Sequence, residues 1–239
     1  MSKTRAVRPR LQGAMRVAAA AGILAFLSVP VRPSAQEESE EARRVREAAT
    51  VFGEIMAAED QSIPTSILGK AEAVAIFPGT LRAGFVVGGT RGRGVISARN
   101  EGLWSPPAFL TLTGGSFGLQ IGGQSADLVL VINDRRGLEN LVSNQFTLGA
   151  DAAVAAGPVG RDAQAATDLQ LRAQILSYSR SRGLFAGVTV NGSTIRQDRD
   201  ANERFYGQRL ETRQIIFGSF AGRPEPVPLW LDTLARYVR

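Results

Sequence analysis

AVAIFPG (73–79), GFVVGGTRGRGVISAR (84–99), WSPPAFLTLTGGSFGLQIGG (104–123) and DLVLVIND (127–134) fall within the stretch Ala73 to Asp134, whose reading decides the fold. Apolar residues alternate at Ala108, Leu110 and Leu112 and again at Phe117, Leu119 and Ile121, the period-two signature of strands with one buried face. Leu128 to Ile132 is an unbroken apolar run, short enough for a strand buried on both faces. Twelve of the chain's 26 glycines lie between Gly79 and Gly123, so these strands must bulge, turn corners or admit another backbone at close range.

Helical patterns flank this stretch. Gln36 to Asp60 sets Val45, Ala49, Phe52, Ile55 and Met56 at helical spacing, an amphipathic helix whose stripe can pack on the sheet or insert into lipid. Ser62 offers an N-cap, with Pro64 near the first position, for a short helix through Leu68. Asp134 can cap a helix through Asn144 with Leu138, Leu141 and Val142 inward.

Downstream, residues 146–157 and 167–178 read as strands, SRSRG (179–183) as a turn, and Asn191-Gly192 as a hairpin turn before Thr194 and Ile195. DRDANERFYG (198–207) reads as a short helix, and Trp230, Leu234, Tyr237 and Val238 mark a terminal one after a proline-punctuated linker. The order helix, strands, helix, strands, helix predicts an α+β domain. Its core is a glycine-rich, mainly antiparallel β-sheet or flattened barrel, flanked by N-terminal, middle and C-terminal helices.

The charge balance depends on a leader. Lys3, Arg5, Arg8, Arg10 and Arg16 precede the apolar run Val17 to Val31, and Ala35 closes the segment, the order of a secretory signal peptide. Cleavage after Ala35 is the reading adopted, with retention as an anchor the alternative; the run of 15 residues is short of the ~20 needed to span a bilayer. Residues 1–35 hold six of the 28 basic side chains and no acid, so the mature chain has 22 of each sign and its charge gives no support for nucleic-acid binding. Within this neutral chain, Arg82, Arg91, Arg93 and Arg99 form a local excess with no acid between Val74 and Asn100, and Lys70 stands just upstream. Thr90 to Gly94 reads as a turn in which Gly92 and Gly94 supply positive φ and display Arg91 and Arg93 at the tip.

The chemical motifs fail on their partners. GGSFG (114–118) has the form of a nucleophile elbow around Ser116, but the chain has no histidine to act as base. GGTRGRG lacks dinucleotide-fingerprint spacing, and Gly69-Lys70 lacks the first P-loop glycine and the following Ser or Thr. Cysteine is absent, and Asp198 and Asp200 lack the glycine and terminal glutamate of a calcium loop. The expectation is a non-enzymatic protein with no metal site and no cofactor.

At AVAIFPG (73–79), GFVVGGTRGRGV (84–95), WSPPAF (104–109), FGLQIGG (117–123), VINDRRGLE (131–139), FTLGADAAVAAGPVGR (146–161) and YSRSRGLFAGV (178–188) the chain closely resembles the SYLF domain family, seven blocks in one order. The resemblance covers residues 36–207, leaving 1–35 as signal peptide and 208–239 as a C-terminal extension. It implies peripheral binding of anionic phospholipid through an amphipathic N-terminal helix and a basic patch, here Arg43, Arg44 and Arg46 on the helix, then Lys70, Arg82, Arg91 and Arg93. It also implies actin association in some fungal members. The leader points instead to an exported protein, periplasmic or secreted, whose available anions are phosphatidylglycerol, cardiolipin or lipid A. The alternative is an envelope scaffold that docks another protein through its sheet edge or the Trp230 to Val238 stripe.

Overall fold

The chain runs through α1 (Glu40–Ala57), α2 (Thr65–Leu68), β1 (Ala73–Gly84), β2 (Val87–Asn100), β3 (Leu103–Trp104), β4 (Ala108–Phe117), β5 (Gly122–Ile132) and α3 (Arg135–Leu141). It continues through β6 (Gln145–Thr147), β7 (Val154–Ala156), β8 (Ile175–Ser181), β9 (Leu184–Gly187), β10 (Ser193–Gln197), α4 (Arg199–Tyr206), α5 (Thr212–Phe217) and α6 (Val227–Tyr237). This computed structural model describes residues 38–238 apart from 59–60, 85–86, 118–121, 144, 161–171, 182, 219 and 221, with backbone alone at 82–84, 87–88, 115–117 and 122–124. The leader, and Leu119, Ile121 and residues 167–171 of the expected strands, lie outside the described residues.

The strands form one sheet in the order β6-β10-β4-β2-β1-β5-β8-β7, with β3 on β2 and β9 on β8; among the described strands only β7 and β8 pair in parallel. Chain connectivity forces this sheet to curl. Laid flat, β6 and β7 stand seven spacings of ~4.8 Å apart, about 34 Å. The connection from Thr147 to Val154 reaches at most about 25 Å. The link from Gly187 to Ser193 has the same shortfall across six spacings. The connecting residues Leu148, Ala152 and Val190 are buried in the cluster that fills the concave side, with Phe77, Ile96, Leu110, Leu130, Ile195 and α5 residues Ile215 and Ile216.

The convex face carries the second core. Val74, Ile76, Val95, Phe109, Val129 and Val131 lie there with α1 residues Val45, Phe52 and Ile55 and α6 residues Trp230 and Leu234. The central strands are therefore buried on both faces, as the Leu128 to Ile132 run requires. Helix α1 starts where Ser39 caps the Ala42 N–H at 3.1 Å, and its apolar stripe is fully packed: Val45 and Phe52 are 0% exposed. Phe52 meets Trp230 and Tyr237 edge-on, centroids 6.5 and 6.1 Å apart.

Two expectations need correction. Thr90 to Gly94 is the interior of β2, and neither Gly92 nor Gly94 has positive φ. These glycines admit a neighbour: β1 bulges between Ile76 and Leu81, and a Cβ on Gly94 would lie 2.6 Å from the Phe77 ring and one on Gly92 2.6 Å from Thr80 Oγ1. Asn191-Gly192 does form a turn, with Gly192 at φ +80°, but its flanking strands do not pair with each other; β9 lies on β8, while β10 lies between β4 and β6. Helices α5 and α6 contribute residues to the two cores.

Candidate functional site

Beyond the apolar rows of the convex face, two residues further toward the glycine-rich end, the same face turns polar. Arg93 stands opposite Thr111, and Thr111 opposite Arg196. One row on, Arg91 stands between Leu81 and Thr113, and Thr113 stands opposite Thr194. Directly paired residues share a face and neighbouring strands are ~4.8 Å apart, so the Arg93 and Arg196 backbones are about 10 Å from each other. Arg91, Arg93 and Arg196 are exposed, and Leu81 among them is 59% exposed.

Helix α1 borders this polar field. Its Glu40 carboxylate accepts from Arg93 Nη1 at 2.6 Å, and further along Glu54 pairs with Arg180, itself 2.9 Å from Asp127. Between helix and sheet lies a groove of about 260 Å³ whose walls include Arg43, Arg44, Leu81, Arg91 and Arg93, with Glu40 and Glu47 on the helix side. Arg43 and Glu47 are 3.7 Å apart and both largely exposed. The fold thus gathers Arg43, Arg91 and Arg93 around one opening.

The other candidates part company. Arg44 is only 5% exposed, with Nη1 3.5 Å from Asp198, Nη2 3.9 Å from Glu40, and its guanidinium 5.4 Å from the Phe109 ring centroid. Burial lowers its pKa from the ordinary arginine value, with Asp198 opposing the shift. It forms the floor of the groove and does not reach its surface. Arg46 pairs with Glu38 at 2.9 Å and does not line the groove. Lys70 lines a separate open cavity of about 930 Å³ with Arg99, Arg135, Glu72 and Glu101. Arg82 lies in β1 opposite Thr90 and Gln124, its side chain outside the described residues.

Arg196 was missed by the sequence reading. It follows the Asn191-Gly192 turn at the correct alternation, but its place beside Arg93 depends on β10 pairing with β4, which no local signal announces. Among the described residues no group of three or more acidic side chains could hold a metal ion, and no helix is long and apolar enough to cross a membrane.

A family model described as "Las17-binding protein actin regulator" matches residues 113–237, from the end of β4 through α6. LAS seventeen-binding protein 3 of Saccharomyces cerevisiae is 35% identical over 205 residues, 84% of this chain and 44% of its own. SH3 domain-containing YSC84-like protein 1 is 33% identical over 190 residues in Rattus norvegicus and 35% over 182 in Homo sapiens, covering 78% and 74% of this chain and 55% and 53% of the relatives. The chain spans about half the length of the curated relatives it matches. With the model match covering more than half of the residues, the chain belongs to the Ysc84 family, the SYLF family that its seven sequence blocks resemble.

Proposed function

We propose that the protein binds anionic phospholipid head groups peripherally, through the exposed face formed by Arg43, Arg91, Arg93 and Arg196. The observation that carries this reading is the cross-strand register, which gathers arginines from β2 and β10 around an exposed leucine, Leu81. The arginines contact phosphates while Leu81 enters the interface. Each basic side chain near an anionic surface contributes ~1 kcal/mol, so four retain the protein reversibly, and salt weakens the hold beyond ~8 Å. Insertion of α1 has no part in it, since the apolar stripe of α1 is buried against the sheet and α6. The reading is one of binding: the family description names binding, and Ser116 of GGSFG has no histidine to activate it. The basic, apolar and small regions before Gln36 support an exported, envelope location.

The test is co-sedimentation of residues 36–239 with neutral or phosphatidylglycerol-containing vesicles at low and high salt. Binding to anionic vesicles alone, weakened by salt, is expected; equal binding to neutral vesicles, or none, overturns the reading.

A second reading, docking of a protein partner, is favoured by the words "Las17-binding" and "LAS seventeen-binding" in the names of the family and its yeast member. The Trp230 to Val238 stripe cannot serve, because Trp230 and Leu234 are fully buried. The exposed Leu103 of β3 and Leu229 of α6 remain for such a partner.

A further inference from the structure

We infer that the groove between α1 and β2 contains a built seat for one phosphate-type oxyanion, and that the Glu40 carboxylate is its resident occupant. Three observations converge on it. Glu40 Oε1 lies between two guanidinium groups, 2.6 Å from Arg93 Nη1 and 3.9 Å from Arg44 Nη2. Arg44 is more than nine-tenths buried, and although Nη1 faces Asp198 at 3.5 Å and Nη2 faces Glu40 at 3.9 Å, neither makes a hydrogen bond among the described residues, so the groove floor holds donors whose hydrogen-bonding capacity is unfilled. The seat also adjoins the first turn of the 18-residue α1, whose positive end favours an anion.

The two acids of that first turn have different fates. Glu41 is 3% exposed and held by Arg204 at 2.7 Å, an anchor that keeps α1 docked. Glu40 and Arg93 have side chains 52% and 46% exposed, and a pair so open to solvent is weak and exchangeable. A phosphate brings more oxygens and more charge than the carboxylate. It can accept from Arg93 directly, and as Glu40 turns outward to solvent it uncovers the Arg44 Nη2 beneath it for the same phosphate. Glu40 thereby sets the anionic density that a surface must reach before it is bound. This last consequence rests on the membrane reading above, whereas the seat itself does not.

Glu40→Gln, Arg93→Gln and the double variant are compared with the parent, each checked for folding by thermal melt, in two arms: inorganic phosphate titrated in solution, and phosphatidylcholine vesicles carrying a minor fraction of phosphatidylglycerol. Glu139→Gln removes one of the two carboxylates that pair with Arg135, away from the groove, and serves as the control. Glu40→Gln is expected to bind about fivefold more tightly, the gain of roughly one unopposed basic contact, and the gain is expected to vanish on the Arg93→Gln background. A gain for Glu40→Gln in neither arm, an equal gain without Arg93, or an equal gain for Glu139→Gln overturns the seat. A gain confined to vesicles assigns the seat to lipid head groups. A gain with free phosphate, while the parent and all variants ignore vesicles, keeps the seat and removes the membrane reading.

Discussion

Trp230 Nε1 donates to Ser97 Oγ at 2.7 Å, both residues fully buried, and this bond ties α6 to β2. Ser97→Ala leaves a buried indole N–H without an acceptor and should lower stability by ~1–3 kcal/mol. Urea unfolding checks it: the midpoint falls with an unchanged slope. An unaffected midpoint would mean that the last helix contributes little to the core.

Gly94→Ala separates the two roles glycine can have in this stretch. If Gly94 supplied a turn, a residue tolerant of positive φ such as asparagine would serve. In the strand, where any Cβ meets the Phe77 ring and the Ile76 carbonyl, alanine and asparagine should both destabilise by ~1–3 kcal/mol or more. Thermal melts of the two variants decide, with a tolerated asparagine counting against the bulge-and-strand account.

Reversing Arg91 and Arg93 together to glutamate should weaken binding to phosphatidylglycerol vesicles by about 30-fold or more, with folding retained. Lys70→Glu should change it by less than about twofold, because Lys70 lines the other cavity and its field is screened within ~8 Å. Equal losses from both changes would point to overall charge rather than to the groove.

Asp134 accepts from the Gly137 N–H at 2.9 Å and from Gln174 Nε2 at 2.8 Å, and these bonds, the backbone one foremost, hold its pKa below the ordinary aspartate value. A depressed folded pKa stabilises above the unfolded value, near 4, and that stability fades as pH falls through the folded value. Asp134→Ala should therefore cost ~0.5–2 kcal/mol at neutral pH and progressively less below pH ~4. Chemical denaturation at several acidic pH values tests the convergence, and a constant difference would contradict the capping account.

Local patterns carried much of the architecture. The Asp134 cap, the amphipathic α1 and the doubly buried Leu128 to Ile132 run are written within a few residues of themselves, and the structure shows all three. Whether a glycine serves φ or close approach is not local. Gly94 is explained by Ile76 and Phe77, on a strand whose bulge has no sequence mark. Asn191-Gly192 gave the turn but not the pairing, because the partners of β10 lie in β4, some eighty residues earlier, and in β6.

The division of the arginines was partly legible. Glu41, Arg44, Ala48, Phe52 and Ile55 follow the helical period into the buried side of α1, so Arg44 stood in the apolar stripe while Arg43 stood outside it. The company of Arg196 required the register.

The contact of Phe52 with Trp230 and Tyr237 joins the earliest described helix to the last one, nearly two hundred residues apart. Until α6 is present, the stripe of α1 lacks part of its cover. Contacts of such separation form late and slow the search for the native state, so a partly synthesised chain holds no finished core.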